Sequence, residues 1–179
     1  MADKYTMTIA GCERHLPLCE VSQHLDIAAF IMFGDVEITV ACAKELLEKC
    51  PEHDVVITAE AKGIPLCYEM ARQADVDYVI ARKGIKVYMP DPISVEVKSI
   101  TTANVQKLYL GETEVELLRG KRVLIVDDVI STGESLKALE LLVEKAGGNI
   151  VAKAAVLAEG EAAERNDIIY LEELPLFPK

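Results

Sequence analysis

The segment VLIVDDVISTGES (residues 123–135) contains the side chains best suited to chemistry. An apolar run leads directly into two aspartates, and hydroxyl side chains around a glycine follow before a helical pattern begins. In a parallel sheet, ligands bind beyond the carboxyl ends of the strands. The backbone N–H groups of a loop and a first helical turn attract anions, and Gly133 lets them approach closely. The carboxylates of Asp127 and Asp128 accept hydrogen bonds from hydroxyls. The segment therefore predicts a sugar-phosphate site, with the phosphate on the loop and the sugar diol on the aspartates.

Three other interpretations of this segment account for less of it. A P-loop requires the pattern GxxxxGK[ST], which the sequence lacks. A receiver domain carries its aspartate pair near its start, whereas here most of the chain precedes Asp127. A simple capped helix after a strand explains one Asp or Ser, but not two aspartates and three hydroxyls around a glycine.

The hydrophobic periodicity indicates alternating strands and helices. Residues 1–34 have no clean period. Beyond them, the pattern predicts helices at 37–50, 64–74 and about 135–145. It predicts strands at 54–60, 77–82, 121–126, 150–159 and 167–174. Residues 94–110 are predicted to form two β-like arms around a polar tip. This order predicts an α/β fold, with a mostly parallel twisted sheet flanked by helices.

Composition restricts the class of protein. The 179 residues, 51% of them hydrophobic, suit a single domain over 1–179. A net charge of −11 argues against nucleic acid or an anionic membrane as partner. No apolar run is long enough to span a membrane and the N-terminus lacks a signal-peptide core, so we expect a cytoplasmic protein. The five cysteines form no CxxC pair and are read as reduced thiols.

Three stretches, in order and in spacing, resemble those of a known family. VLIVDDVISTGES resembles the 5-phosphoribosyl-1-pyrophosphate (PRPP) motif of the type I phosphoribosyltransferases. TAEAKGIPLCYEMA (58–71) is similar to the pyrophosphate loop of the adenine and xanthine enzymes, and VIARKGIKV (79–87) is similar to the strand and basic turn that follow it. The resemblance implies the type I fold, with a flap hairpin at about 91–110 and a small hood formed by about 1–34 and the C-terminal segment.

The resemblance also implies roles for individual residues. The ribose hydroxyls would be held by Asp127 and Asp128, which are also the expected catalytic pair. The whole ribose and 5′-phosphate site would comprise Asp127, Asp128, Val129, Ser131, Thr132, Gly133, Glu134 and Ser135. The pyrophosphate would be lined by Ala61, Lys62 and Gly63, with counter-charge from Arg82, Lys83 and Lys86. That basic turn would reach the site of a neighbouring subunit in a homodimer. Mg²⁺ would enter as a cofactor bound through PRPP, with no direct protein ligand.

The implied reaction transfers the phosphoribosyl group of PRPP to a purine base and releases pyrophosphate. An apolar slot for the base is expected from Ile27, Phe30 and Phe33 and from the turn Leu157 to Glu159. Adenine is the favoured base, and xanthine or another oxopurine is the alternative. A regulatory module that binds PRPP without turnover is a further alternative, because AKGIPLCYEMA also resembles the PRPP-binding domain of a bacterial purine-operon repressor.

The sequence departs from the adenine enzymes at three places. Those enzymes carry Arg where Lys62 stands, and Lys keeps the charge but loses the fork geometry. Their flap carries a Glu in an LEYG-like stretch, whereas the stretch here is LYLG (108–111). The N-terminal third also lacks an FRD-like segment. The identity of the base therefore depends on features that the three motifs do not contain.

Overall fold

The main sheet carries the predicted motifs at one edge. In the computed structural model, which describes residues 3–98 and 105–179, five parallel strands lie in the order β10-β9-β8-β4-β5. The strands are β4 (Val55–Ala59), β5 (Asp77–Ala81), β8 (Arg122–Ile130), β9 (Asn149–Glu159) and β10 (Ile169–Leu174). The helices are α1 (Val36–Lys49), α2 (Ile64–Ala74), α3 (Glu112–Leu118) and α4 (Glu134–Lys145). The predicted α/β class with a mostly parallel sheet is confirmed.

Helices cover both faces of the sheet, so its central strand β4 has no exposed face. All five residues of β4 are buried. Val56 points into a cluster with α1 and α2, while Val55 and Ile57 point into a second cluster with α4. This alternation follows from the two-residue period of a strand. Parallel pairing of β4 with β8 places the carboxyl ends of these two strands at the same edge of the sheet.

One predicted strand ended four residues too early, and two short helices were missed. The strand predicted to end at Val126 continues through both aspartates to Ile130, because β9 is long enough to pair with it as far as Ala158. Helix α3 was not predicted, since it has only seven residues and carries three glutamates. A short 3₁₀ helix (Gly160–Glu164) after β9 was also missed.

The N-terminal segment forms a small antiparallel sheet. Strands β1 (Lys4–Ile9), β2 (Cys12–Ser22), β3 (Leu25–Ala28) and β11 (Leu176–Pro178) lie in the order β1-β2-β3-β11. The last strand pairs with β3, so that both ends of the chain build this sheet. This sheet is the predicted hood.

The flap is a two-stranded antiparallel hairpin of β6 (Ile93–Lys98) and β7 (Val105–Leu110). Its predicted polar tip, 99–104, lies outside the described residues. Its base is tied to the main sheet by two backbone hydrogen bonds between Arg82 and Tyr109, of 3.0 and 2.8 Å. A third contact joins the Lys145 ammonium to the carbonyl oxygen of Ser94 at 2.9 Å. The flap is therefore anchored on both β5 and α4.

Among the described residues, no helix has the length and apolar character needed to cross a membrane. Helix α1, with 14 residues, is the longest of those described, whereas a membrane span needs about 20.

Candidate active site

The two aspartates lie inside the carboxyl-terminal part of β8. The backbone N–H of Asp128 donates a hydrogen bond of 2.8 Å to Oδ1 of Asp127. Asp128 is only 3% exposed, and its Oδ2 is buried without a hydrogen-bond partner among residues 3–98 and 105–179. Lys62 Nζ lies 3.4 Å from that oxygen. A buried carboxylate oxygen without a hydrogen-bond donor is costly for folding, and in native proteins such an atom marks a place for a ligand.

The electrostatics of this pair favour a proton on Asp127. Its burial raises the pKa of the Asp127 carboxyl well above the usual value, and the neighbouring Asp128 raises it further. The Lys62 ammonium partly opposes this rise. Burial and Asp128 thus disfavour the ionised form of Asp127 in the unliganded site, and a ligand that donates hydrogen bonds would stabilise that form.

The predicted pyrophosphate loop reaches β8 through a close backbone contact. A methyl group on Gly63 would lie 2.6 Å from Oγ1 of Thr58 and 3.1 Å from Oδ1 of Asp127. Only glycine fits this approach. The loop contains a cis peptide bond between Glu60 and Ala61. The structure therefore places Lys62 and Gly63 beside the aspartate pair, with Ala61 next to them in the chain, and their pyrophosphate role stays a prediction.

The basic turn is attached to the same loop through Glu60, which the sequence analysis did not select. The backbone N–H of Lys83 donates to Oε1 of Glu60 at 2.6 Å, and Arg82 Nε donates to Oε2 at 3.2 Å. The Lys83 N–H and then the charges of Arg82 and Lys86 hold the pKa of the Glu60 carboxyl below its usual value. Arg82 also donates to the hydroxyl of Tyr88. Arg82 thus connects the loop to the turn, while the Lys83 side chain is exposed.

The predicted phosphate loop ends at the N-terminus of α4. Gly133 is the N-cap residue, with φ of 81°, and no side chain caps the helix. The first N–H groups of an α-helix have no intrahelical partner, so this end is suited to an anion. The exposed side chains of Ser131 and Thr132 add hydroxyl donors, and Ser135 lies in the first turn of α4. Val129 is half-buried in the strand that leads to the loop.

The residues predicted to bind the base are divided between the core and the surface. Phe30 is 4% exposed and Leu157 is fully buried, and both belong to the main hydrophobic cluster. Ile27 and Glu159 are half-buried, and Phe33 is 52% exposed. Accessible surface for a base is therefore largest at Phe33. The role of this set stays a prediction.

Comparison with known proteins agrees with this geometry. The family model of the phosphoribosyl transferase domain matches residues 35–174. A hypoxanthine/guanine phosphoribosyltransferase of Methanococcus voltae is 38% identical over 112 residues, which are 63% of this chain and 56% of that protein. The purine biosynthesis transcriptional repressor PurR of Bacillus subtilis is 34% identical over 113 residues, which are 63% of this chain and 39% of the repressor. The match spans about half of the enzyme's length and less of the repressor's.

A solved structure is similar over a larger share of the chain. The adenine phosphoribosyltransferase of Thermoanaerobacter pseudethanolicus superposes with a TM-score of 0.67 and 25% identity, and the match covers 78% of this chain and 82% of that one. The fold is thus that of the type I phosphoribosyltransferases. The chain belongs to the phosphoribosyl transferase domain family.

Proposed function

We propose that this protein is a purine phosphoribosyltransferase that transfers the 5-phosphoribosyl group of PRPP to a purine base, in purine salvage. The observation that carries the proposal is the buried Oδ2 of Asp128, which lacks a hydrogen-bond donor among the described residues. It lies a few residues before an uncapped helix N-terminus. Hydroxyl donors and a phosphate group on one ligand match these two features, and a phosphorylated ribose has both.

The reaction requires positioning and charge neutralisation more than a nucleophilic side chain. The electron pair of a base nitrogen forms the bond to C1 of the ribose, while the C1–O bond breaks and its electron pair leaves with pyrophosphate. The N–H proton of the base is released to water or to the departing pyrophosphate. Asp127 and Asp128 would hold the ribose hydroxyls, and the α4 loop would hold the 5′-phosphate. Lys62, exposed by 55%, is free to turn from Asp128 to the leaving pyrophosphate. Fixing the reactants in this way accounts for most of the catalysis that such a site can supply.

A magnesium ion would enter this site bound to PRPP. Within the described residues, no group of three or more His, Cys, Asp or Glu side chains is placed to hold a metal. Mg²⁺ would take its ligands from oxygens of PRPP and from water, and such a water would donate a hydrogen bond to the Asp128 carboxylate. Mg²⁺ bound there would neutralise charge on the pyrophosphate.

The base is proposed to be adenine, with hypoxanthine, guanine or xanthine as the alternative. The pyrophosphate loop and basic turn resemble the adenine branch, and the solved structure cited above is an adenine enzyme. The relative from Methanococcus voltae is named for hypoxanthine and guanine instead. A buried polar group left unpaired costs about 1 to 3 kcal/mol, so the residue that faces the purine edge decides between an amino donor and a carbonyl acceptor.

Release of pyrophosphate from PRPP and Mg²⁺ with adenine, hypoxanthine, guanine and xanthine in turn tests the activity and the base together. We expect turnover with adenine to exceed that with each oxopurine. A preference for an oxopurine would overturn the choice of base but keep the activity. Tight PRPP binding without turnover on any base would favour a PRPP-sensing module, a function that the similarity to PurR makes worth testing.

We also propose a homodimer in which the basic turn contacts the second subunit. This turn carries exposed apolar side chains: Ile85 is 60% exposed, Tyr88 62% and Val87 fully exposed. A cytoplasmic location remains a prediction from the sequence.

Light scattering should give twice the mass of one chain for the native protein. Val87→Asp should shift the mass toward one chain, because the substitution places a charge in the apolar contact. Val21→Asp is the matched control, since Val21 is also exposed (54%) but lies in the hood. A fully active protein with the mass of a single chain would contradict the dimer.

A further inference from the structure

Arg165, which no motif selected, is held in a fixed orientation after the 3₁₀ helix. Its Nε donates to Oδ1 of Asp167 and its Nη2 donates to Oδ2, both at 2.8 Å. Such a two-point contact between a planar guanidinium and a carboxylate fixes the plane of the arginine. The Arg165 side chain is 31% exposed, so its free edge can still reach a ligand.

A second ion pair holds Asp167 in place. Lys153 Nζ lies 2.9 Å from Oδ2 of Asp167 and 2.7 Å from Oε1 of Glu140, and the Lys153 side chain is only 16% exposed. Arg165 and then Lys153 hold the pKa of the Asp167 carboxyl well below its usual value. The four charged groups therefore form a network across β9, α4 and the start of β10, and the network keeps Arg165 oriented before any ligand binds.

The remaining nitrogen of this guanidinium lies against the phosphate loop. A methyl group on Gly133 would lie 2.7 Å from Nη1 of Arg165. Gly133 is also the residue that begins the uncapped end of α4. The loop itself carries a carboxylate at Glu134, which by charge alone disfavours a phosphate there. A fixed cation beside the loop offsets this effect.

We propose that Arg165 is a ligand of the 5′-phosphate of the ribose, and that Asp167 is the positioning residue that aims it. The proposal rests on the proposed function, because it adds a side chain to the same phosphate site. In this proposal the guanidinium of Arg165 and the backbone N–H groups of the loop together bind the phosphate of a pentose phosphate monoester. A purely structural role for Arg165 would instead fasten the 3₁₀ helix to β10 and contribute nothing to phosphate binding.

The test is calorimetric titration of the wild-type protein and its variants with ribose 5-phosphate and, separately, with pyrophosphate. Arg165→Gln should weaken binding of ribose 5-phosphate roughly tenfold or more, the effect of losing a charge-assisted hydrogen bond to phosphate. Affinity for pyrophosphate should stay within about twofold of wild type, and Arg165→Lys should recover part of the loss. Arg122→Gln is the matched control: Arg122 is bound by Asp54 in the same way, but at the opposite end of β8.

Each outcome decides between the roles. If wild type binds ribose 5-phosphate and Arg165→Gln binds it equally well, the inference is wrong while the proposed function stands. Equal loss of both ligands in Arg165→Gln and in Arg165→Lys would mean that Arg165 supports the fold, and would also overturn the inference. If wild type binds neither ligand, the proposed function fails and the inference fails with it.

Discussion

Asp128→Asn should lower kcat/KM for PRPP roughly 30- to 700-fold while the protein stays folded. The substitution removes the negative charge from a buried oxygen that would accept a ribose hydroxyl, and breaking such a buried charged contact costs about 2 to 4 kcal/mol. The amide has nearly the same shape as the carboxylate. The unliganded protein also loses a buried carboxylate oxygen that has no hydrogen-bond partner among the described residues, so its stability should not fall. Steady-state kinetics with varied PRPP, together with a urea unfolding curve, measure both effects.

Asp77→Asn is the matched control for Asp128→Asn. Asp77 is an exposed aspartate that begins β5, at the amino end of the sheet, opposite to the site. Its replacement should leave both kcat/KM and the unfolding midpoint unchanged. Normal turnover by Asp128→Asn would mean that the aspartates only shape the end of β8 and the start of its loop.

Asp127→Asn should stabilise the unliganded protein and abolish its stabilisation by ligand. In wild type, PRPP and Mg²⁺ at about a hundred times the dissociation constant should add about 2.7 kcal/mol to the free energy of unfolding. Asn keeps a side-chain oxygen that can accept the hydrogen bond from the Asp128 N–H. It carries no negative charge, so neither burial nor the charge of Asp128 destabilises it. At pH 7 the unliganded Asp127→Asn protein should therefore be more stable than wild type, because it no longer carries the buried charge that raises the pKa of Asp127.

The pH dependence of that gain follows from the direction of the pKa shift. Because the folded-state pKa of Asp127 is raised, its carboxyl contributes stability that is fully present below the unfolded pKa of about 3.9 and is lost as pH rises through the folded pKa. The difference between Asp127→Asn and wild type should therefore be absent in acid and grow toward neutral pH. Carboxyls with a lowered pKa, such as Glu60, lower the free energy of unfolding of both proteins equally in acid. Their contribution therefore cancels in the difference between Asp127→Asn and wild type.

Asp54→Asn is a control with the opposite sign. The hydrogen bonds from Arg122 lower the pKa of Asp54 to about 2, so its contribution is present above about pH 3.9 and is lost as pH falls through the folded pKa. Asp54→Asn should therefore destabilise the protein at pH 7 and have little effect in strong acid. Urea unfolding between about pH 2 and pH 8 tests both variants, because this range includes the folded-state pKa of Asp54. An Asp127→Asn protein that is less stable than wild type at pH 7 would show that this carboxylate is well solvated in the folded state.

The sequence alone predicted those features that depend on neighbours in the chain. Helix α2 was predicted at the residues where it occurs, because its apolar residues follow the helical period and Pro65 fits the first turn. The carboxylates and hydroxyls of residues 127–135 follow one another from the end of a strand to the first turn of the next helix, so their chemistry can be read from their spacing. The alternation of strands and helices also predicted a parallel sheet. Two parallel strands need a long crossover connection, and a helix between them provides it.

Only the tertiary structure revealed the contacts between distant parts of the chain. Glu60 joins the pyrophosphate loop to residues 82 and 83, and Arg165 comes to lie beside Gly133, from which 32 positions of sequence separate it. Arg165 lies outside all three motifs, and Glu60 lies within TAEAKGIPLCYEMA but was given no role there, because on an acidic chain each reads as one more surface charge. Their partners are set by which strands adjoin in the sheet. The same reason explains why β8 was predicted too short: pairing with β9 overrides the preference of two adjacent aspartates for a turn.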